Sequence, residues 1–334
     1  MSINPVEIPT GAVRYNTDSN KMEVYIGSTW MEVSVSSPNL DGGVRGLFMG
    51  GDPGSNQGRK IEYITIPTAG NGTEFGDMTE DRKYCSSFSS RTRGVVAGGE
   101  NPSAKHDEIE FVNFASTGNV IDFGNLLAAR TYVGCAGNQT RGIIAGGYPG
   151  SADYDNVIQF VTIASTGNAV DFGDLTQNNS NQGGTASPTR GIFAGGADWP
   201  SMKNEIDFVT IATTGNAQDF GNLLISQAYN NGASSSTRAV YSSGSNSPYK
   251  LMEYITFATR GNALDFGDST VAIGWKQGTS DTIRGVFGGG QSPTTSNVID
   301  YINIATQGDA VDFGDLITQF HRSGGACSNG HGGL

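Results

Sequence analysis

The chain repeats one unit six times, and this repeat constrains the fold more than any other feature. An arginine followed by a small residue marks each copy, and successive arginines are 48, 48, 49, 48 and 46 residues apart. A Phe-Gly pair recurs later in each copy. Periods of about 40 to 50 residues with Gly-Gly and aromatic landmarks are typical of arrays of small sheets such as propeller blades. The markers are Arg45, Arg93, Arg141, Arg190, Arg238 and Arg284, with Phe75, Phe123, Phe172, Phe220, Phe266 and Phe313.

Each copy contains segments with strand character. In the fourth copy a strand at 191–196 ends in Gly-Gly, a longer strand follows at 205–211, and a Thr-Gly-Asn turn at 214–216 leads into a strand that ends at Gly221. Gly-Asn between two strand runs is a hairpin signal. A fourth segment lies between the Phe-Gly pair of one copy and the arginine of the next, as at 127–138, and we assign it as the innermost strand.

The long strand is apolar on both sides of its pleat. Ile206 and Phe208 share one face, and Val209 and Ile211 share the other. A strand of this kind needs cover on both faces, which stacked blades provide.

The two ends of the repeat array complement each other. No inner strand precedes Arg45, whereas the chain continues after the last Phe-Gly pair through a small-residue segment at 323–329. We therefore predict an all-β, six-bladed β-propeller of four-stranded blades over residues 45–334, with the first blade closed by the C-terminal strand. Closure of this kind removes free sheet edges. The unit resembles a kelch blade, although Asp-Phe-Gly stands where the kelch tryptophan of the outer strand is expected.

Residues 1–36 differ from the repeats. Apolar and polar residues alternate at 11–16, 21–26 and 30–35 between turn clusters, which predicts a three-stranded β-meander. So small a sheet is marginal alone and needs a partner. Residues 37–44 are interpreted as a linker.

The order Arg-Tyr-Asn-Thr, Asn-Lys, Glu-Val-Tyr and Gly-x-x-Trp within residues 11–30 resembles a short module of tail-fibre and other virion structural proteins of tailed bacteriophages. The resemblance implies a virion protein that is made in the host cytoplasm. It also implies that the module attaches the chain to other virion proteins or assembles copies of the chain, for example into a trimer. Tyr15, Tyr25 and Trp30 are the candidate attachment residues.

The composition of the chain excludes some classes of binding partner. The net charge of −12 and the pI near 4.6 argue against nucleic acid, which is bound through Lys and Arg. No run of 18 apolar residues and no signal peptide is visible, so neither membrane insertion nor export is expected. Cys85, Cys135 and Cys327 lie in different copies, which favours buried core residues over a disulfide or metal site.

The sequence contains only fragments of known catalytic motifs. Asp-Phe-Gly recurs in the copies without other kinase motifs, so we interpret its Phe as core and its Gly as a bend. The Gly-Gly pairs lack the residues of a phosphate loop. His106, His321 and His331 lie in unrelated phases, and we predict no catalytic residues, no metal site and no cofactor. Whether acidic loops containing Asp52, Asp153 and Asp155 bind Ca²⁺ stays open.

The repeated arginines have two interpretations. With the acids before each Phe-Gly pair they form either an anion site on the axis or one ion pair or hydrogen-bond clamp per blade. Recurrence with the period of the fold favours the clamp. The acids are Glu74, Asp122, Asp171, Asp219, Asp265 and Asp312.

The loops after Gly-Gly vary between copies and share one face with the connections between blades. Diversity on a uniform scaffold is typical of a binding surface. Aromatic residues there either stack on sugar rings or pack the loops. The candidate ligand-binding residues are Asp52, Asn101, Tyr148, Tyr154, Trp199, Tyr249 and, from a connection, Trp275.

These observations favour a non-enzymatic virion protein, a tail-fibre or receptor-binding subunit whose propeller rim binds a host surface glycan. A capsid decoration or tail connector protein that binds other virion proteins is the alternative. A propeller glycan hydrolase is the third hypothesis.

Overall fold

The computed structural model describes residues 8–16, 21–32, 44–51, 58–150, 154–291, 293–318 and 324–334. The chain divides into two compact units, Met1–Leu40 and Asp41–Leu334. The described residues form strands, turns and extended segments and no helix, so the all-β prediction is confirmed. Consequently none of them belongs to a helix that could cross a membrane.

The first unit contains an antiparallel sheet in the order β1 (Val13–Asn16), β2 (Lys21–Ile26) and β3 (Thr29–Glu32). Pairs such as Tyr15 with Met22 and Tyr25 with Trp30 set its register. Side chains that face each other across antiparallel strands lie on one side of the sheet. Tyr15 therefore lies on the face opposite Tyr25 and Trp30, and the three predicted attachment residues do not form one patch.

The two faces of this sheet differ in chemistry. On one, the Arg14 guanidinium lies 4.2 Å from the Trp30 ring centroid and 2.7 Å from Glu23 Oε2. On the other, five apolar side chains are between 44% and 59% exposed, namely Val13, Tyr15, Met22, Ile26 and Met31. The sheet is thus amphipathic.

The described residues of the second unit form six four-stranded antiparallel sheets. The strands are β4 (Arg45–Met49), β5 (Lys60–Thr65), β6 (Thr73–Asp77), β7 (Ser86–Ser89), β8 (Arg93–Ala97), β9 (Glu108–Asn113), β10 (Ile121–Asn125), β11 (Gly134–Gly137), β12 (Arg141–Ala145), β13 (Val157–Thr162), β14 (Val170–Asp174), β15 (Gly183–Ala186), β16 (Arg190–Ala194), β17 (Ala197–Asp198), β18 (Ser201–Met202), β19 (Glu205–Thr210), β20 (Gln218–Asn222), β21 (Gly232–Ser234), β22 (Arg238–Ser242), β23 (Leu251–Thr256), β24 (Leu264–Asp268), β25 (Gln277–Ser280), β26 (Arg284–Gly288), β27 (Val298–Asn303), β28 (Val311–Asp315) and β29 (Gly325–Ser328). Sheet 1 is ordered β29-β4-β5-β6, sheet 2 β7-β8-β9-β10, sheet 3 β11-β12-β13-β14, sheet 4 β15-β16-β19-β20, sheet 5 β21-β22-β23-β24 and sheet 6 β25-β26-β27-β28, and β17 pairs with β18 in a loop.

Sheet 1 combines both ends of the repeat array, as the sequence predicts. Gly325 pairs with Met49 and Ser328 pairs with Gly46. The first strands of the sheets contact one another in the order β29, β7, β11, β15, β21 and β25, and β25 contacts β29 again. Small residues in these strands permit the close approach, since a Cβ at Gly184 would lie 1.8 Å from the Cys135 carbonyl oxygen.

Each sheet is covered on both faces by its neighbours. Ile206 and Phe208 of β19 pack into an apolar cluster with sheet 5, whereas Val209 and Ile211 pack into a cluster with sheet 3. The predicted division of the long strand into two apolar faces is therefore confirmed. Cys85, Cys135 and Cys327 are also buried among such neighbours, as predicted.

The Gly-Asn segment is not the hairpin turn that the sequence predicts. In sheet 4 the turn closes earlier, with Thr213 N–H donating to the Thr210 carbonyl. Gly215 N–H then donates to the Phe172 carbonyl of sheet 3 at 2.7 Å, and Asn216 Oδ1 accepts from Asp174 N–H at 3.1 Å. The segment thus bonds to the fourth strand of the preceding sheet, and the Gly N–H contact recurs at Gly70, Gly118, Gly167, Gly261 and Gly308.

The Phe-Gly pair has the structural role that the sequence predicts. Phe220 is buried, and the ladder between β19 and β20 shifts register beside it in a bulge. Gly221 has φ +150° and lies against Gly261 of sheet 5. Only glycine fits so close an approach in that conformation.

The repeated arginines are hydrogen-bond clamps between sheets. Arg141 Nη1 donates to the Ile211 carbonyl of the next sheet at 2.9 Å, and its guanidinium lies 4.7 Å from the Phe160 ring centroid. Each arginine marker makes equivalent contacts, and those of Arg284 join sheet 6 to sheet 1. The partners are carbonyls and rings, so the clamp interpretation holds without ion pairs to the acids before Phe-Gly.

We expect Arg238→Ala to lower the free energy of unfolding by about 1 to 3 kcal/mol, because two carbonyls lose a charged donor and Tyr254 loses a cation contact. Thermal and urea unfolding of the variant measure the loss. The exposed Arg59, changed to Ala, is the control and should leave stability unchanged. Unchanged melting of Arg238→Ala together with loss of anion binding would favour the axial anion site instead.

Candidate functional site

One pocket collects residues from all six sheets and is here called the central pocket. It has a volume of about 390 Å³ including its open mouth. Its lining residues come from the segments that enter the first strands of the sheets. They are Tyr84, Cys85, Ser86, Tyr132, Val133, Asn181, Gln182, Tyr229, Asn230, Asn231, Trp275 and Gly324.

Five of these residues occupy the same repeat phase and have left-handed backbones. Tyr84, Tyr132, Asn181, Tyr229 and Trp275 have φ between +58° and +64°. Bulky residues rarely adopt this conformation, which persists where surrounding structure enforces it and often marks a functional site. Here backbone hydrogen bonds enforce it, because the N–H of each of Tyr132, Asn181 and Tyr229 donates to the carbonyl of the preceding member.

The aromatic members of this phase contact one another around the pocket. The Tyr229 and Trp275 rings stack with centroids 4.1 Å apart, and the Tyr84 and Tyr132 rings lie 4.3 Å apart. Tyr132 and Tyr229 meet edge to face at 6.0 Å. Residues distant in sequence thus form one continuous aromatic surface.

Polar atoms without a protein partner line the same pocket. Gln182 and Asn230 are 4% and 1% exposed, and Gln182 Oε1, Asn230 Oδ1 and Trp275 Nε1 are buried without a hydrogen bond. Buried polar atoms in proteins are nearly always paired, so each such atom calls for an explanation. Ordered water molecules, or the hydroxyl groups of a ligand, would supply hydrogen-bond partners for these atoms.

Burial favours the neutral form of the Tyr132 and Tyr229 phenols. It raises the pKa of Tyr229 to about 12, with the neighbouring Tyr84 adding to the effect. Burial also raises the pKa of Tyr132, as do Tyr229 and Tyr84. Both hydroxyls therefore remain protonated in any physiological buffer and act as neutral hydrogen-bonding groups.

Of the predicted binding residues, Trp275 lies in the central pocket. The loops that carry several others adjoin it, since Thr131, beside Tyr132, bridges to Tyr148. Tyr148 packs against Tyr154 at 5.2 Å, with Lys105 Nζ 3.5 Å from the Tyr148 ring centroid.

The remaining predicted residues do not converge on one site. Asn101 Oδ1 accepts from two backbone N–H groups of its own loop, and its amide donates to Glu80. Trp199 is 40% exposed between β17 and β18, and Tyr249 is half-buried beside Gly274. Asp52 lies outside the described residues. Asn181, Gln182 and Asn230 were missed by sequence reasoning, although Asn181 shares the repeat phase of Trp275 and the other two occupy the next position.

A row of buried polar residues, one in the third strand of each sheet, was also not predicted from the sequence. Glu62 accepts from Ile317 N–H and Thr318, and Asp207 accepts from Thr176. Glu110 pairs with Arg82 at 2.9 Å. These residues tie the segment that connects two sheets to the second of the two. The row comprises Glu62, Glu110, Gln159, Asp207, Glu253 and Asp300.

Glu253 should make stability depend on pH. Burial raises its pKa to about 7, against the donors Leu224 N–H and Gln227. The folded state therefore binds the proton more tightly than the unfolded state, so wild-type stability falls as pH rises from about 4.5 to 7. Gln159 fills the equivalent position in sheet 3, so glutamine is tolerated there. We expect the free energy of unfolding of Glu253→Gln, relative to that of wild type, to rise by about 2 to 3 kcal/mol between pH 4.5 and pH 8.

Urea unfolding across this pH range measures the gain. Gln159→Glu is the reverse substitution and should lose stability over the same interval. Parallel pH profiles for Glu253→Gln and wild type would contradict the assignment.

The described histidines and acids do not assemble a metal site. His106 Nδ1 lies 3.0 Å from Glu108, and Asp155 pairs with Arg130 at 3.3 Å. Burial lowers the pKa of His331 to about 4, and its Nε2 lies 3.1 Å from the Ser89 carbonyl oxygen. No group of three or more possible ligands occurs among the described residues, whereas His321 and Asp153 lie outside them.

Comparison with known proteins finds no family model and no curated sequence that matches the chain.

Proposed function

We propose that the chain is a non-enzymatic virion protein of a tailed bacteriophage, a tail-fibre or receptor-binding subunit that binds a glycan of the host surface. Its second unit would be a closed, six-bladed, kelch-like β-propeller. Its first unit would attach it to other virion proteins and assemble copies, as in a trimer, so that several weak sites act together.

The observation that carries the binding function is the central pocket. Aromatic rings and unpaired polar atoms converge there from sheets that are far apart in sequence. Pockets that combine aromatic walls with a few directed polar groups are typical ligand sites. The cyclic order of contacts between the six sheets supports the propeller.

A capsid decoration or tail connector protein is the second candidate. The exposed apolar face of the first unit supports binding to another virion protein, because a small sheet gains stability when such a face is covered. A hydrolase ranks third, since the described lining of the central pocket includes no carboxylate to serve as an acid or a nucleophile.

Binding of the labelled full-length protein to candidate host bacteria tests the proposal. We expect it to stain the cells, and we expect periodate oxidation of surface glycans to abolish the staining. Protease treatment of the cells should leave staining intact. Failure to stain any host, together with attachment of the protein to virions that lack it, would overturn the adhesin function in favour of decoration or connection.

A further inference from the structure

We propose that the central pocket takes the terminal residue of a neutral glycan, inserted end-on through the mouth beside the loops. The inference deepens the proposed function, on which it rests for the glycan itself. Charge, hydrogen-bonding atoms and shape support it separately.

The charge of the site favours an uncharged sugar. None of the described lining residues has a charged side chain. Lys83 lies beside the pocket, 5.2 Å from the Tyr84 ring centroid, and is paired with Glu100 at 3.9 Å. The whole chain has a net charge of −12. A sialic or uronic acid would lose hydration at its carboxylate without gaining a cation among these residues.

The unpaired atoms match hydroxyl groups. Gln182 Nε2 donates to the Ala145 carbonyl and Asn230 Nδ2 to the Ala194 carbonyl, which fixes both amides with their oxygens unpaired. Two acceptors and the indole N–H of Trp275 then remain. A sugar hydroxyl both donates and accepts, so it can pair with either amide oxygen or with the indole N–H.

The aromatic lining suits a sugar ring, because aromatic faces pack against the C–H surfaces of a pyranose. A second cavity lies between the first strands and shares no lining residue with the central pocket. There Gly332 N–H donates to Ser234 and His331 contacts Ser89, so residues 330–334 lie across that side. A glycan chain therefore enters from the loop side and ends in the central pocket.

The test uses calorimetry and fluorescence on the full chain. The neutral probes are methyl mannoside, methyl galactoside and N-acetylglucosamine, and the acidic probes are sialic acid and glucuronic acid. Trp30→Phe/Trp199→Phe leaves Trp275 as the single tryptophan. We expect one neutral probe to bind and to change Trp275 fluorescence, whereas the acids leave it unchanged.

Two variants locate the site. Trp275→Asn copies Asn181 and Gln182→Val copies Val133, so each introduces a residue found at that repeat phase. Each should weaken the neutral probe by about tenfold or more, because stacking or an acceptor is lost. Trp199→Ala, whose side chain lies outside the central pocket, is the control and should bind as wild type.

The outcomes separate the two proposals. Preference for an acidic probe, or equal affinity of Trp275→Asn and wild type, overturns the pocket inference. If no probe binds while staining of bacteria remains periodate-sensitive, the adhesin function stands and the pocket inference fails. If a neutral probe binds at Trp275 and no bacterium is stained, the pocket inference stands and the adhesin function fails.

Discussion

Gly221→Ala is expected to lower the free energy of unfolding by more than about 4 kcal/mol, a loss at the upper end for single substitutions. A Cβ at this position would lie 2.3 Å from the Gly261 carbonyl oxygen and 2.5 Å from its carbonyl carbon. Both atoms belong to the backbone of the next sheet, so a rotamer change cannot relieve the clash. The φ of +150° adds strain for any residue with a Cβ.

Gly261→Ala is the matched control. Gly261 has φ +154°, and its Cβ would meet nothing within 4 Å. This variant therefore carries the strain without the clash, and we expect a loss of about 1 to 2 kcal/mol. Thermal and urea unfolding of both variants measure the difference. Equal losses would show that the close approach of the two sheets does not limit stability.

Lys276→Met should lower the free energy of unfolding by about 3 to 5 kcal/mol, because it leaves a buried carboxylate without its cation. Lys276 and Asp300 are both fully buried, and Lys276 Nζ contacts Asp300 Oδ2. Thr270 Oγ1 donates to the other carboxylate oxygen. Without the lysine, the Thr270 hydroxyl is the one side-chain donor to Asp300 among the described residues.

The double variant Lys276→Met/Asp300→Asn separates lost charge pairing from lost packing. Asparagine keeps an acceptor for Thr270 and needs no cation, so we expect the double variant to recover most of the loss. Urea unfolding at neutral pH is the measurement. A single variant within about 1 kcal/mol of wild type would contradict the role of the pair.

The all-β architecture of four-stranded sheets could be predicted because its determinants repeat. Arg141, Phe172 and their equivalents recur with one period, and the lone strand after the last Phe-Gly pair matches the strand missing before Arg45. The Gly-Asn segment misled the prediction, because Gly215 and Asn216 have the local chemistry of a hairpin turn. Hydrogen bonds to another sheet, which no local pattern reveals, decide their place.

The candidate site was less accessible to sequence reasoning. Trp275 was selected for its aromatic side chain, whereas Gln182 and Asn230 look like ordinary polar loop residues. Their significance arises from burial and from amide nitrogens committed to neighbouring carbonyls. Left-handed backbones at Tyr132 and Tyr229 run against local preference and occur where backbone hydrogen bonds link Tyr84, Tyr132, Asn181 and Tyr229 in series.

The most direct test of the central claim compares full-length wild type, Trp275→Asn and Trp199→Ala for binding to the same host bacteria. Thermal unfolding should show that all three proteins are folded at the temperature of the binding assay. We predict that Trp275→Asn loses staining while Trp199→Ala keeps it, which would locate receptor binding in the central pocket. Staining that survives in Trp275→Asn and disappears in Trp199→Ala would contradict this account and place the receptor on the outer loops.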